Sequence, residues 1–251
     1  MVKSYSFDGY KSNIDLSDLD EEITNVDKGS PCGEYLRRFW HPFILSKEIK
    51  ELPKLIKLLG EELVVFRDKS GKIGLLNKHC PHRGASLEYG IIADCGLICS
   101  YHGWHFDIDG SLIRAGSEPS KSPIHKRVKQ GAYPTREFEG IVFAYLGPTE
   151  KIPEFPFYDV QNDKSVKKIP FSLSAPCNWL QVYENTQDPI HVIHLHARSS
   201  GVQFGVASGV DQIIEYDDTP LGMINIQTRL VDNYVWTRTT ESILPNGNQT
   251  G

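Results

Sequence analysis

The sequence predicts a mainly β fold of the α+β class: an all-β domain, followed by the beginning of an α+β domain with an antiparallel sheet. Between residues 41 and 147, short apolar runs alternate with turn signals, which is typical of a small all-β domain. Residues 178–186 then have apolar positions at helical spacing, and further strand-like runs follow. The chain has 251 residues, which is enough for two ordinary domains.

The first 38 residues are predicted to form an N-terminal segment with one helix. Ser30 has the side chain of a good N-cap, and Pro31 suits the first helical position. We therefore expect a helix that includes Glu34 to Trp40. The all-β domain is then predicted over residues 39–148 and the second domain over residues 149–251.

Turn signals define the elements of the all-β domain. Residues 63–66 and 73–76 flank a polar Gly-containing turn at 68–71, the pattern of a β-hairpin. Asp109 and Gly110 mark a second turn. Residues 141–145 form an apolar run of the length of a buried strand.

The second domain is introduced by residues 148–162, a linker rich in proline and aromatic residues that we expect to pack rather than float. A helix is predicted over residues 178–186. The strand-like runs after it lie at 211–216, 223–230 and 234–242.

Composition excludes several classes of function. The formal net charge is −5 and there is no basic tract, so a nucleic-acid partner is not expected. The N-terminus has no apolar core of a secretory signal, and no apolar run approaches the roughly 18 residues that span a bilayer. We expect a cytoplasmic protein. Its five cysteines, an odd number, argue against a disulfide framework and favour metal binding.

Two Cys/His pairs are the strongest chemical signal in the chain. Cys80 and His82 are separated from Cys99 and His102 by sixteen residues, and both pairs lie between predicted strands. Two thiolates and two imidazoles are the donor set of a 2Fe–2S cluster whose irons are ligated differently. The alternative is a structural zinc ion. Zinc sites usually contain a Cys-x(2–4)-Cys pair, which neither of these loops has.

A second group of metal-binding side chains lies near residue 190. His191, His194 and His196 fall within six residues, after an Asp188-Pro189 pair that suits the start of a helix. Two histidines and a carboxylate can hold Fe(II) and leave positions open for dioxygen and substrate. The alternative is a set of solvated or core histidines.

Both groups of residues resemble one family. The first, together with residues 83–86 and Gly103-Trp104, is similar to the Rieske domain of ring-hydroxylating oxygenases. The second resembles the Asp-x-x-His-x(4)-His signature of the same family, which implies His191 and His196 as iron ligands. At about 100° per residue, a regular helix would pair His191 with His194 instead. The resemblance therefore requires a bulge or break in that helix.

The resemblance also implies roles for other residues and partners. Asp188 would bridge an iron-binding histidine to a Rieske histidine of a neighbouring chain, and Asn185 would line the same site. Residues 29–42 look like the phthalate-dioxygenase type, whose members are homotrimers. An NAD(P)H-dependent reductase or a ferredoxin would supply electrons. The substrates would be dioxygen and an aromatic or related small molecule, which would be hydroxylated or demethylated.

The chain departs from the family at its C-terminal end. Family members supply a third iron ligand, a carboxylate, well downstream of the histidines. Asp211, Asp217, Asp218 and Asp232 precede the expected position, and we assign none of them. We expect a truncated gene, with a sheet that ends in an unpaired edge near 234–242; a natural short form is the alternative. Two functions thus compete: a terminal oxygenase, and a Rieske-type electron carrier without oxygenase activity.

Overall fold

The computed structural model describes residues 20–116, 118–119, 121–199 and 210–250. Within them, fourteen strands form four antiparallel sheets, as predicted for a mainly β protein. The strands are β1 (Trp40–Leu45), β2 (Lys54–Leu58), β3 (Glu61–Arg67), β4 (Ile73–Asn77), β5 (Ile91–Ile92), β6 (Leu97–Ile98), β7 (His105–Phe106), β8 (Leu112–Arg114), β9 (Thr135–Phe138), β10 (Ile141–Tyr145), β11 (Ile213–Thr219), β12 (Gly222–Val231), β13 (Tyr234–Ile243) and β14 (Gly247–Thr250).

The described helices are few and short. The α-helices are α1 (Glu21–Thr24), α2 (Pro31–Leu36), α3 (Ile124–Arg127), α4 (Asp159–Asn162) and α5 (Trp179–Gln187). Single turns of 3₁₀-helix cover Ser46–Glu48, Leu87–Tyr89 and Thr149–Lys151, and a π-helix covers Val192–Ser199. No helix in the described part of the chain is both long enough and apolar enough to cross a membrane.

Three sheets build the first half of the molecule, with strand orders β1-β10-β9, β2-β3-β4 and β5-β6-β7-β8. The β3–β4 hairpin is the one predicted from the turn at 68–71, and Phe66 pairs with Gly74 across it. Side chains of β3 alternate between two cores because successive residues of a strand point to opposite faces. Val64 and Phe66 belong to one core and Leu63 and Val65 to the other, so this strand is buried on both faces.

The helix predicted to start after Ser30 is α2, which begins as predicted and ends earlier. The Ser30 hydroxyl accepts a hydrogen bond from the Gly33 amide at 3.1 Å, as an N-cap does. The helix ends at Leu36, however, so the expected extent to Trp40 was wrong. Trp40 starts β1 instead, pairs with Tyr145 and donates its indole N–H to the Pro153 carbonyl at 3.1 Å. Strand pairing and burial of the indole outweigh local helix propensity here.

The second half contains the predicted helix and antiparallel sheet. The helix predicted at 178–186 is α5, capped by the Asn178 side chain, which accepts from the Leu180 amide. The sheet has the order β11-β12-β13-β14. The prediction of an unpaired strand edge at 234–242 was wrong in part, because β14 pairs with residues 240–243 of β13.

Polar contacts join the two halves. The Asn178 side chain donates to the Thr24 carbonyl, and the Trp179 indole donates to the Ile23 carbonyl. Asn246, between β13 and β14, donates to the Trp40 carbonyl at 2.8 Å. The proline-rich segment is also packed, since the Phe155 ring lies 5.7 Å from that of Trp40.

Candidate metal centres

Two loops with the same hydrogen-bond pattern present the Cys/His pairs. The first follows β4 and the second connects β6 to β7. The amide of Cys80 donates to the Ala85 carbonyl at 2.9 Å, and the Gly84 amide donates back to the Cys80 carbonyl at 2.9 Å. In the second loop the Cys99 amide donates to Trp104 and the Gly103 amide to Cys99, at 2.7 and 3.0 Å. With the cysteine as residue i, each loop is therefore closed by two backbone hydrogen bonds. One runs from the amide of i to the carbonyl of i+5, and the other from the amide of i+4 to the carbonyl of i.

A glycine at the fifth position allows each loop to close. Gly84 has φ of +71° and Gly103 has φ of +68°, in the left-handed region that favours glycine. The His79 ring provides a further contact across the first loop, with Nδ1 2.9 Å from the Gly84 carbonyl oxygen. Sequence reasoning left His79 without a role, although its position beside Cys80 was visible.

The thiols and imidazoles occupy different environments. Cys80 and Cys99 are 3% and 2% exposed and belong to the apolar core that contains Phe106. His82 and His102 are exposed. The two loops thus place a thiol pair inside the protein and an imidazole pair at its surface.

Ring contacts hold the two histidines together. Their ring centroids are 4.7 Å apart, and the His82 ring stacks on the buried Trp104 at 4.6 Å. Desolvation, with the positive charges of His102 and Arg83, lowers the pKa of His82. A lowered pKa keeps the imidazole neutral at pH 7, which is the form that binds metals.

Burial raises the pKa of the Cys80 thiol, whereas it lowers the pKa of the His82 imidazole. It raises the pKa of Cys80 to about 11, and the adjacent Cys99 adds to the rise. Two thiols in an apolar core need a positive partner to ionise, and a bound metal supplies that charge. Among the described residues, no three or more His, Cys, Asp or Glu side chains are grouped so as to hold one metal ion. Two loops that each present one thiol and one imidazole supply the donor set of a cluster with two differently ligated irons.

Asp188 lies at the junction of two helices in the second half. It is the C-cap of α5, and its Oδ1 accepts a hydrogen bond from the Ile190 amide at 2.8 Å. Its Oδ2 lies 3.3 Å from Nδ1 of His191, within ion-pair distance although the angle is not that of a hydrogen bond. This contact orients the ring with Nε2 pointing away from the carboxylate.

The π-helix brings together the two histidines that the resemblance selects. His191 directly precedes this π-helix and His196 lies on it. Hydrogen bonds in a π-helix join residue i to i+5, so its wider turn brings side chains five apart closer together than an α-helix does. The His191 and His196 ring centroids are 5.1 Å apart, whereas His194 is exposed. The predicted departure from a regular α-helix is therefore confirmed, while the role of the two rings as iron ligands stays a prediction.

A cavity of about 280 Å³ joins these residues to the sheet. Asn185, Asp188, His191 and His196 line one side of it, and Gln227 and Arg238 line the other. The sequence analysis missed the sheet residues. A signal for them was present in β12, where every second residue from 225 to 229 is polar. These side chains, Asn225, Gln227 and Arg229, are buried.

The four aspartates that the sequence left unassigned do not join this cavity. Asp217 and Asp218 lie exposed on β11, and Asp211 and Asp232 are exposed outside the strands. As noted for the described residues, no third His, Cys, Asp or Glu groups with the histidine pair as a metal site. Imidazole is a donor that suits iron, so the two rings are candidate ligands, a role that stays a prediction.

Comparison with known proteins adds independent information. Residues 39–132 match the family model described as the Rieske [2Fe-2S] domain. The chain is 43% identical over 259 aligned positions to the tert-butanol monooxygenase / tert-amyl alcohol desaturase oxygenase subunit of Aquincola tertiaricarbonis, covering 96% of this chain and 55% of that protein. It is 38% identical to the phenoxybenzoate dioxygenase subunit alpha of Ectopseudomonas oleovorans, covering 90% of this chain and 59% of that protein.

The fold has a counterpart among solved structures. The NdmA QL mutant with theobromine, from Pseudomonas putida CBB5, matches with a TM-score of 0.67 at 24% identity. The match covers 86% of this chain and 64% of that one. The chain thus spans between one half and two thirds of the length of the proteins it resembles.

Proposed function

Since this chain belongs to the family of Rieske non-heme iron oxygenases, we propose that it acts as a terminal oxygenase on an aromatic or related small molecule. The single observation that carries the proposal is the presence of both metal-binding groups in one chain. A Rieske cluster transfers single electrons, and a mononuclear Fe(II) activates dioxygen. Hydroxylation and demethylation are the reactions proposed.

Cys80, His82, Cys99 and His102 are the proposed cluster ligands. The matched loops, the buried thiols and the neutral His82 ring support this assignment. The exposed imidazole pair gives an electron donor access to the outer side of the cluster. We also propose that residues 39–148 form the Rieske domain, which the pairing of β10 with β1 supports, and that residues 149–251 belong to the catalytic domain.

His191 and His196 are the proposed iron ligands. Their rings stand side by side, and the Asp188 carboxylate beside Nδ1 of His191 leaves Nε2 to face a metal. Asn185 lines the same cavity. The third, anionic ligand that such a site needs is not assigned to any described residue.

Asp188 is the proposed bridge between subunits. Its side chain is 48% exposed although one oxygen is in contact with the His191 ring, so a group from another chain can reach it. In a homotrimer that group would be His82 or His102 of the neighbouring chain, which are exposed as well. The proposed electron donor is an NAD(P)H-dependent reductase or a ferredoxin, and the proposed location is the cytoplasm, where free thiols persist.

The competing function is an electron carrier without oxygenase activity. A carrier needs the loops around Cys80 and Cys99 but has no use for a pair of histidines, one just before the π-helix and one on it, beside a polar cavity. Reoxidation of the reduced cluster separates the two functions. The cluster is reduced without oxygen, and its colour is followed in a stopped-flow instrument after mixing with dioxygen, with and without added Fe(II).

An oxygenase should reoxidise its cluster faster when Fe(II) is bound, because electrons can then leave through the second site. Asp188→Asn keeps the size of the side chain and removes its charge, so it should slow this reoxidation without loss of iron. Identical rates with and without Fe(II), in a protein shown by dialysis to bind Fe(II), would favour the carrier.

A further inference from the structure

Two side chains of the second sheet hold the backbone on either side of Asp188. The Tyr216 hydroxyl, on β11, donates to the Gln187 carbonyl at 3.1 Å. Gln212, just before β11, donates from Nε2 to the Pro189 carbonyl at 3.0 Å. Carbonyls in the last turn of a helix lack a partner within the helix, so side chains such as these can decide where the chain turns next.

A chain of side-chain hydrogen bonds continues from Gln212 through the sheet. Oε1 of Gln212 accepts from Arg229, whose guanidinium has donors only, so the Gln212 amide nitrogen is the atom directed at Pro189. Arg229 also donates to Gln227 at 3.3 Å, and Gln227 donates to Asn225 at 2.8 Å. Each amide in this chain accepts at its oxygen and donates at its nitrogen, so its orientation is fixed by its neighbours.

The chain of amides ends on α5. Asn225 donates from Nδ2 to the side-chain oxygen of Gln187 at 2.8 Å. Asn225 is directly opposite Tyr216 in the β11–β12 pair, so the two side chains reach Gln187 from neighbouring strands. Asn225 is fully buried, and a buried amide that loses its partner is not compensated by water. Gln187 is therefore held firmly at both its carbonyl and its side chain.

The segment held in this way carries an exposed carboxylate. The Asp188 side chain is 48% exposed, with Oδ1 2.8 Å from the Ile190 amide and Oδ2 3.3 Å from Nδ1 of His191. Exposed contacts of this kind contribute little stability by themselves, so they do not fix a carboxylate on a free backbone. With the carbonyls of Gln187 and Pro189 held by the sheet, the backbone at Asp188 has little freedom to rotate and the carboxylate stays beside the His191 ring.

We infer that Gln212 and Tyr216 are positioning residues for Asp188, because they fix the peptide groups on both sides of it. This inference rests on the proposed function, in which the Asp188 carboxylate bridges the two metal centres. Both side chains are neutral, so they act on the position of the carboxylate and not on its charge.

Hydrogen–deuterium exchange of the Ile190 amide tests the positioning, because this amide is hydrogen-bonded to Asp188. Exchange is followed in the full chain without Fe(II). Gln212→Leu keeps a side chain of similar size and removes the donor, and Tyr216→Phe removes only a hydroxyl. Each variant should speed the exchange at least about threefold, a factor that one lost hydrogen bond can produce.

Two exposed residues provide matched controls. Gln181 is an exposed glutamine on α5, and Tyr234 is a 78% exposed tyrosine on β13. Gln181→Leu and Tyr234→Phe should exchange the Ile190 amide as the wild type does. Since Tyr216 is 50% exposed, Tyr216→Phe is the variant least disturbing to the fold and is decisive. The visible spectrum and circular dichroism report whether each variant is folded.

Reoxidation of the reduced cluster with Fe(II) bound shows whether the effect acts through Asp188. Gln212→Leu and Tyr216→Phe should each slow reoxidation at least about threefold. In an Asp188→Asn background the same two changes should have no further effect, because residues that act through one contact are not additive. A merely structural role would slow reoxidation equally in both backgrounds.

Two results would overturn the inference: exchange of the Ile190 amide at the wild-type rate in Tyr216→Phe, or equal slowing of reoxidation with and without the Asp188 carboxylate. Failure of the proposed function is a different result. In that case Fe(II) would not speed reoxidation in the wild type, and amide exchange of the metal-free chain would alone decide whether Gln212 and Tyr216 position Asp188.

Discussion

The two candidate metal centres are built by different means. In the first, Cys80 and Cys99 sit in loops closed by matched backbone hydrogen bonds, and their thiols are part of an apolar core. In the second, the angular spacing of residues in a π-helix brings the rings of His191 and His196 together beside a polar sheet face. The first site is therefore held by backbone hydrogen bonds beside an apolar core, and the second by a helix irregularity beside a polar cavity.

This difference teaches which parts of each site tolerate change. A loop closed at both ends holds its ligands even if a neighbouring surface residue is replaced. A pair of ligands that depends on the angular spacing of a π-helix is lost when either ring is removed, because no other side chain of the helix lies at the same angle.

The largest effect is expected from Cys80→Ala. It removes a buried thiol from the inner pair, so the cluster should not assemble and labile sulfide should fall to background. Cys95→Ala is the matched control, because Cys95 is an exposed free cysteine outside both loops. Retention of sulfide by Cys80→Ala, or its loss in Cys95→Ala, would show that the ligand set is misassigned.

A smaller but clear effect is expected from His196→Ala. Fe(II) affinity should fall at least about tenfold in equilibrium dialysis, which corresponds to about 1.4 kcal/mol. His194→Ala, two residues earlier on the same π-helix, should bind Fe(II) as the wild type does because His194 is exposed. If His194→Ala were the variant that loses iron, the ring pairing described here would be wrong. Neither variant should change the labile sulfide of the first site.

Gly103→Ala should destabilise the second loop moderately. The change places a Cβ at φ of +68°, where an L-residue costs about 1–2 kcal/mol, although its nearest new neighbour, the Gly116 Cα, is at an ordinary contact distance of 3.9 Å. Gly71→Ala is the matched control, at φ of +89° in the β3–β4 turn and in open space. Both should lower the unfolding midpoint, but only Gly103→Ala should also speed loss of cluster colour in a chelator. Equal loss of colour in the two variants would mean that the loop is not what holds the cluster.

The smallest effect concerns pH and His41, which joins the two halves. Burial lowers the pKa of His41 below its ordinary value of 6.5. The unfolded chain therefore takes up a proton near pH 6.5 that the folded chain resists, so stability decreases as pH falls below that value and levels off below the folded pKa. Its ring contacts, Nε2 to the Leu36 carbonyl and Nδ1 to the Asn246 amide, fit the neutral form.

His41→Gln removes this titration. Thermal unfolding measured between pH 5 and 8 should show a shallower acid dependence for His41→Gln than for the wild type. The comparison uses the difference between the two slopes, because other groups contribute equally to both. Parallel curves would contradict a neutral His41 in the folded protein.

Much of the first site could be predicted because its determinants are local. The turn at 68–71 and the spacing of Cys80, His82, Cys99 and His102 are properties of the chain itself. The second site was harder to predict from the sequence, since a regular helix pairs His191 with His194 and no local sequence pattern indicates a π-helix. Only the resemblance selected His196.

Tertiary contacts account for the remaining errors. Residues 37–40 do not continue α2 because Trp40 pairs with Tyr145, more than a hundred residues away. The polar face of β12 became visible only when α5 was seen to cover it, through the contact of Asn225 with Gln187. Long-range burial of this kind is not encoded in a window of neighbouring residues.

A redox titration of the wild-type chain tests whether it holds a 2Fe–2S cluster with two imidazoles on one iron. Visible absorbance is followed at neutral pH as the potential is lowered. We expect a single one-electron transition with a midpoint between about −150 and +300 mV, the range of histidine-ligated clusters. A midpoint near −400 mV, as in clusters ligated by four cysteines, or a colourless protein with no transition, would contradict it.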